Sequence, residues 1–281
     1  MLYIVATPLG NLEDLTPRAL RIFREVDAIA AEDTRHTIQL LSHFGISKPL
    51  FAFHQHNERE ATEQLIEKLN GGQNIALVSD AGYPCVSDAG SYLTRTLRDR
   101  NIPYTCLPGA CAVDLALVLS GLPTETYAFL GFLPREGKER ERAFAKIAKS
   151  EDTVVVYESP LRVVKLIKDL KPYVKERKIA LLREMTKIHE ECLRGACGEL
   201  LSRLEERGEV KGECVLVIEG GQAEKEREEG LSPEEAVRKV LLLKKKADLS
   251  LSQSAQAVAL ITGLNRKELY KKALELEGDD A

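Results

Sequence analysis

Long apolar runs are missing from this chain. The longest, such as Val154–Tyr157 and Cys214–Ile218, fall far short of the roughly 18 residues that span a bilayer, so no membrane-crossing helix is expected. No basic leader or cleavage signature precedes the strand-like run Leu2–Ala6, and the expected location is the cytoplasm. Nucleotide and hydrolase signatures are absent as well. No GxGxxG follows the first strand and no GxxxxGKS or GxxxxGKT occurs, which counts against dinucleotide and nucleoside triphosphate binding. GxSxG and HExxH are lacking, which removes the common hydrolases. The six cysteines (Cys85, Cys106, Cys111, Cys192, Cys197 and Cys214) form no CxxC pair and no metal-ligand spacing, so they read as small, partly buried hydrophobes and no metal is expected. His54-Gln55-His56 is a candidate ligand pair, but alternating histidines at a strand end are more often surface polar structure. Excess positive charge is missing too. A net charge of −4 and a pI near 5.9 advertise no nucleic-acid partner, which must then be held by local patches. Three patches exist, at Arg135–Arg142, at Lys244-Lys245-Lys246, and at Arg266-Lys267 with Lys271-Lys272.

What is present describes a globular α/β protein. Of its 281 residues 44% are hydrophobic and 30% charged, enough for about two domains at the usual ~150 residues each. Strand and helix signals alternate through the first half. Strands are predicted at Leu2–Ala6, Ala28–Ala31, Asn74–Val78 and Tyr104–Leu107. Between them, helices are predicted at Pro17 onward (capped by Thr16), Thr37–His43, Glu58–Leu69, Ser91–Arg100 and Ala112–Leu119. Such a series implies a mainly parallel sheet with helices on both faces. Gly121-Leu122-Pro123-Thr124 breaks it, after which the series resumes to a last strand at Gly212–Glu219. Gly220–Gly230 reads as an acidic linker. Ser232 then caps a helical tail whose Ala259-to-Gly263 spacing suits a helix-turn-helix or a plain helical hairpin. The expected division is 1–121, a first α/β domain; 122–221, a second; and 222–281, linker and helical tail.

Chemistry is expected where strands run out into loops. Thr7–Asn11, Glu32–His36, Ser79–Gly90 and Pro108–Ala112 all leave the carboxyl ends of predicted strands, so a parallel sheet gathers them on one edge. Three are dominated by Gly, Pro, Ala and Ser, which let main-chain groups approach a ligand closely. The fourth, Glu32-Asp33-Thr34-Arg35-His36, carries ionisable side chains suited to chemistry or phosphate recognition. Its structural alternative is a helix start with Asp33 or Thr34 as the cap and Arg35 salt-bridged.

Leu2–Leu12, Ala30–His36, Leu77–Gly82 and Tyr157-Glu158-Ser159-Pro160 are long, separately placed motifs, supported by Gly131–Arg135, Arg183–Lys187 and Gly212–Val217. Together they resemble the small-subunit ribosomal RNA methyltransferases of the tetrapyrrole methylase (class III S-adenosylmethionine-dependent) superfamily. The resemblance runs over nearly the whole chain. It implies two α/β domains with mainly parallel or mixed sheets, a cofactor cleft between them and a helix-turn-helix-like tail. It also implies a homodimer that needs no metal and 2′-O-methylates a cytidine in 16S ribosomal RNA near the decoding centre. By motif, Pro8, Leu9, Tyr83, Pro84, Val86, Cys111, Ala112 and Tyr157 are carried over as contacts to S-adenosylmethionine. The chain departs from the family pattern at Tyr83 (usually Thr), Cys85 (Gly), Ala89 (Pro), Ala110 (Pro) and Cys111 (Ser).

Methyl transfer to a ribose hydroxyl is an in-line displacement helped by alignment and by a base that takes the proton. Glu32 and Asp33 are the candidate bases, with Arg35 and His36 as phosphate or ribose contacts, and Glu158 and Lys187 as candidates from the second domain. Arg135, Lys138, Lys187, Arg266 and Lys267 are the candidate RNA contacts. A small-molecule, tetrapyrrole-type methyltransferase and a non-catalytic RNA-binding protein stand as alternatives. Deleting the residues after about Gly230 is expected to weaken RNA binding and its salt dependence while sparing cofactor binding. Equal RNA affinity with and without the tail returns it to a purely structural role.

Overall fold

The computed structural model describes residues 1–221, 233–247 and 249–279. The chain divides into two compact units, Met1–Gly221 and Gln222–Ala281. Most of the expected linker, residues 222–230, and the Ser232 cap lie outside the described residues, as does the Lys246 side chain.

Two five-stranded sheets build the larger unit. The first holds β1 (Leu2–Val5), β2 (Ala28–Ala31), β3 (Leu50–Ala52), β4 (Ile75–Val78) and β5 (Tyr104–Leu107). Their order is β3-β2-β4-β1-β5, and every pair is parallel. All residues of β2 and β4 are buried, as a parallel sheet covered on both faces requires. Alternation assigns the faces. Leu2, Ile4, Ala30, Ile75 and Leu77 pack with α3 (Glu58–Asn70) and α4 (Ser91–Asp99). On the opposite face Val5, Ile29, Ala31, Ala76 and Val78 pack with α1 (Pro17–Glu25) and α2 (Thr34–His43). Helix α1 starts where expected, since Thr16 Oγ1 accepts from Ala19 N at 3.1 Å and Pro17 occupies the first turn. Strand β3 was not expected. At three residues it is too short for a periodic signal, and as an edge strand it pairs only with β2.

The second sheet corrects the expectation that the parallel series resumes. It holds β6 (Tyr127–Phe132), β7 (Thr153–Glu158), β8 (Lys178–Arg183), β9 (Glu191–Ala196) and β10 (Cys214–Ile218) in the order β6-β7-β10-β8-β9. Only β6 and β7 run parallel; the other three pairings are antiparallel. The reason lies in the connections. Strands β8 and β9 are joined by residues 184–190 with no crossover helix, and a parallel pair needs a crossover of a dozen residues or more. One face is covered by α6 (Gly137–Lys149), α7 (Pro160–Val174) and α8 (Cys197–Arg207).

The other face is covered by α5 (Ala112–Ser120), which follows the last strand of the first sheet. Its Val113, Ala116 and Leu117 are buried against Val155, Ala180, Leu182, Val215 and Val217. Burying Val113 and Leu117 contributes on the order of 1.5–3 kcal/mol each. Helix α5 therefore joins the two sheets and brings its amino end to the space between them.

The smaller unit has α9 (Pro233–Ala247), α10 (Leu251–Thr262) and α11 (Arg266–Asp279) around a core that includes Val237, Val240, Leu251, Val258 and Leu269. Ser250 and Gln253 form a capping box at the start of α10, and Gly263 N donates to Ala259 O at its end. The turn to α11 is only Gly263-Leu264-Asn265, as expected for a helix-turn-helix.

The loop after β4 stores strain. Cys85 and Ser87 have φ of 72° and 68°, a left-handed backbone that costs a non-glycine residue about 1–2 kcal/mol. Gly90 has φ of 130°, and a Cβ there would lie 2.2 Å from Cys85 Sγ. Gly90→Ala is expected to lower the melting midpoint by about 4–8 °C, a loss of about 2 kcal/mol. Adding Cys85→Gly removes the clash and should restore half or more of that loss in a double-mutant cycle followed by thermal melts. Additive losses would show that the thiol is not what bars the methyl group.

Candidate functional site

Main-chain hydrogen bonds fasten the strand-end loops to one another. Thr7 N donates to Gly82 O and Gly82 N to Thr7 O, both at 3.0 Å. Thr7 Oγ1 donates to Ser79 O at 3.0 Å and Ser79 Oγ to Gly82 O at 3.2 Å, both buried. Gly109 N donates to Tyr83 Oη at 2.7 Å, which ties in the loop after β5. The ionisable loop joins through Asp80. Asp33 N donates to Asp80 Oδ1 at 3.1 Å, Asp80 N donates to Glu32 Oε2 at 3.4 Å, and His36 Nδ1 lies 3.4 Å from Asp80 Oδ2.

A cavity of about 430 Å³ opens at this rim. From the first sheet Leu9, Ala81–Tyr83 and Val86–Asp88 line it; the start of α5 adds Cys111 and Ala112. The second sheet supplies Phe132, Tyr157, Met185 and Val215 from the opposite side. Glu32, Asp80, Asp88, Glu158 and Glu213 also line it, the buried Glu158 carboxylate being paired with the Arg162 guanidinium at 2.7 Å. Beyond Leu9 lies a second cavity of about 350 Å³, between the loop after β1 and α2.

The model of the tetrapyrrole (corrin/porphyrin) methylases matches residues 1–201, and that of the RsmI C-terminal HTH domain matches residues 232–277. The chain is 46% identical to the ribosomal RNA small subunit methyltransferase I of Escherichia coli O157:H7, over 99% of this chain and 96% of that one. With the protein of the same name from Haemophilus influenzae it shares 44%, over 98% and 96%. The chain belongs to the ribosomal RNA small subunit methyltransferase I family. Among solved structures it is similar to diphthine synthase (TM-score 0.61, 15% identity, 78% of this chain and 89% of that one). Uroporphyrin-III C-methyltransferase from Thermus thermophilus, complexed with S-adenyl homocysteine, is also similar (TM-score 0.55, 18% identity, 78% and 96%). Both likenesses concern the fold.

Two departures from the family pattern now have a physical account. The Tyr83 hydroxyl, standing where the family usually has Thr, accepts the Gly109 N–H and so fastens one loop to another. Cys111, standing for Ser, is the N-cap of α5 and makes no side-chain cap bond; a serine cap is ordinarily worth about 1 kcal/mol. All six cysteines are free, with Cys197 and Cys214 buried and Cys106 exposed, contrary to the expectation that all are partly buried.

Of the carried-over cofactor contacts, Leu9, Tyr83, Val86, Cys111, Ala112 and Tyr157 line the first cavity. Pro8 lines the second, and Pro84 is buried without lining either. Glu32 and Glu158 reach the first cavity and His36 the second. Asp33 caps α2 through Arg35 N at 2.8 Å and grips the Arg35 guanidinium at 2.6 Å, which is the capping alternative. Arg35 itself is 86% exposed. The Lys187 stem lies against Gly10, where a Cβ would come within 2.4 Å of Lys187 Cγ, and its ammonium bridges Glu184 at 3.0 Å and Glu213 at 3.1 Å. Arg135 is exposed just before α6 and Lys138 in its first turn. Arg266 and Lys267 are exposed at the start of α11, in the smaller unit. The His54 and His56 rings are 5.9 Å apart, and no group of three metal-ligating side chains occurs among the described residues. Sequence reasoning passed over Asp80 and Asp88 although the loop that holds them was singled out. It likewise passed over Phe132, Met185 and Glu213, which lie in motifs that carried the resemblance.

Electrostatics separate the carboxyl groups. Arg35 holds the Asp33 carboxyl well below the usual carboxylate range. Burial raises Glu32, with Asp80 and Asp33 adding repulsion, against a bond from Asp80 N and the nearby His54. Asp88 is pushed up to about 7, first by burial and then by Glu32 and Asp80. For Lys187, burial works against the charge, but the bonds to Glu184 and Glu213 outweigh it and raise the pKa. Because the folded pKa of Asp88 lies above the unfolded value near 3.9, the folded chain holds an extra proton between about pH 4 and 7, and stability falls across that window. Asp88→Asn removes this cost. Its gain in melting midpoint over the parent chain should grow from pH 4.5 to 7 and level off above, by a few degrees in all; a gain flat with pH would place the proton elsewhere.

Proposed function

We propose that this chain methylates the ribose 2′-hydroxyl of a cytidine in 16S ribosomal RNA near the decoding centre. Family membership makes it an S-adenosylmethionine-dependent ribosomal RNA methyltransferase. The observation that carries the site assignment is the convergence of three loops, tied by the Thr7–Gly82 backbone pair and the Tyr83 hydroxyl and joined by the ionisable Glu32–His36 loop, on one cavity with apolar and acidic lining. That cavity fits the cofactor chemically. Leu9, Val86, Ala112, Tyr157 and Val215 offer surface to an adenosine and an aliphatic chain, and the carboxyl groups suit a cation. Bound there, the cofactor supplies a methyl group on a positively charged sulfonium.

The chain's own residues align and deprotonate. Glu32, half-buried and with a raised pKa, is the base that accepts the ribose hydroxyl proton. Asp33 is too acidic for that task and works by holding Arg35, which meets a phosphate together with His36. Residues 1–121 carry the cofactor loops, 122–221 close the cleft, and 222–281 contact RNA through Arg266 and Lys267. Arg135, Lys138 and Lys187 extend the RNA contact on the larger unit. The protein acts in the cytoplasm as a homodimer; among the described residues no helix is long and apolar enough to cross a membrane.

Incubation with labelled S-adenosylmethionine and 30S subunits, followed by nuclease mapping, should place the label on one cytidine ribose. Label in a small tetrapyrrole and none in RNA would favour the metabolite reading instead. Glu32→Ala, Asp33→Ala and Arg35→Ala, made singly, should leave cofactor affinity near normal. Transfer should fall about 10²-fold or more for Glu32→Ala, and less for the other two. Unchanged turnover in all three removes this loop from the mechanism.

A further inference from the structure

One cavity for the methyl donor leaves the acceptor nucleotide without a seat. Resting on the function proposed above, we propose that the second cavity seats the target cytidine, with Gln39 and His36 beside its base. Leu9, Asp80, Ala81 and Glu213 line both cavities, so the two adjoin along these residues. A donor in the first and an acceptor in the second would then meet at this shared rim, next to Glu32.

The lining suits a pyrimidine nucleotide. Pro8, Leu9, Leu12 and Leu40 form an apolar floor, against which the flat face of an unstacked base rests. The polar side holds Gln39, His36 and the carboxylates of Asp80 and Glu213. Cytosine presents an amino donor at N4, which a carboxylate or amide oxygen accepts. Uracil presents a carbonyl at that position, which a carboxylate repels. Asp80 is held in place for this contact by Asp33 N and His36. The Lys187 stem packs on Gly10, where an added Cβ would lie 2.4 Å from Lys187 Cγ, and its ammonium stays with Glu213 at the junction. Arg35, on the first turn of α2 beside His36, supplies an exposed cation for the flanking phosphate.

Two substitutions test the assignment. Leu12→Trp fills the cavity from its half-exposed edge, and Gln39→Ala removes an exposed amide. S-adenosylhomocysteine should raise the melting midpoint of both variants as it does the parent's, which reports an intact donor site. Filter binding of the S-adenosylhomocysteine-loaded Leu12→Trp chain to 30S subunits should weaken about ten-fold, the scale of one lost stacked base. Gln39→Ala should raise KM for the subunit several-fold with kcat within a factor of two or three. Parental subunit affinity in Leu12→Trp together with parental KM in Gln39→Ala would overturn the acceptor seat while leaving the methyltransferase reading standing. If Leu12→Trp loses the response to S-adenosylhomocysteine, Gln39→Ala alone decides. A parent chain that labels no RNA would overturn both readings.

Discussion

The paired hydrogen bonds between Thr7 and Gly82 are the constraint on which the site depends. Each residue donates to the other at 3.0 Å, so two loops leaving adjacent strands behave as one short ladder beyond the sheet edge. Thr7 Oγ1 and Ser79 Oγ close the remaining polar groups inside the same knot. Buried backbone polar groups without partners cost about 1–3 kcal/mol each, so the knot opens only at a cost of several such bonds. Leu9 and the residues from Ala81 to Asp88 are placed by what Thr7 and Gly82 do. Tyr83 extends the ladder to Gly109, and Asp80 extends it to Asp33 and Glu32. Four loops thus become one rigid rim, which is the form of positioning that displacement chemistry rewards.

Helix α5 performs the matching task for the second sheet. A helix following β5 would ordinarily cover the sheet it came from, yet Val113, Ala116 and Leu117 pack on the second sheet instead. That packing draws Cys111 and Ala112 to the mouth of the cleft and fixes Tyr157, Met185 and Val215 opposite Leu9 and Val86. The cleft walls are therefore held by apolar burial on one side and by main-chain hydrogen bonds on the other.

The first sheet was legible because its signals are local. Apolar four-residue strands, the Thr16-Pro17 helix start and the small-residue loops each announce themselves within a few positions, and a parallel sheet then dictates that the loops share an edge. Strand β3 was not legible, being three residues long and stabilised by its pairing with β2. The antiparallel character of the second sheet was hidden for a different reason. Strand β10 inserts between β7 and β8 from far along the sequence, and periodicity carries no information about such long-range pairing. In the site, the loops holding Leu9, Val86 and Ala112 could be read from their small residues and turns, whereas the individual residues came from the family motifs. Asp88 was missed because its chemistry arises from burial beside Glu32 and Asp80, a tertiary property. Asp33 looked like a base in sequence and is a helix cap in the structure, because an acid two residues before an arginine at a helix start satisfies both roles on paper.

The distribution of charge resolves an apparent conflict between partners. A cationic methyl donor favours carboxylates at the site, whereas RNA is a polyanion that carboxylates repel. The chain keeps the two demands apart by depth. Glu32 and Asp88 line the cavity, where burial raises the pKa of each. Arg35, Arg135 and Lys138 sit on the exterior, and Arg266 and Lys267 belong to a separate unit. At physiological ionic strength charges interact over only about 8 Å, so an exposed cation feels little of the acids elsewhere on the surface. A net charge of −4 is therefore compatible with an RNA substrate, because the field near the surface is set by local charges and not by the average of the whole chain.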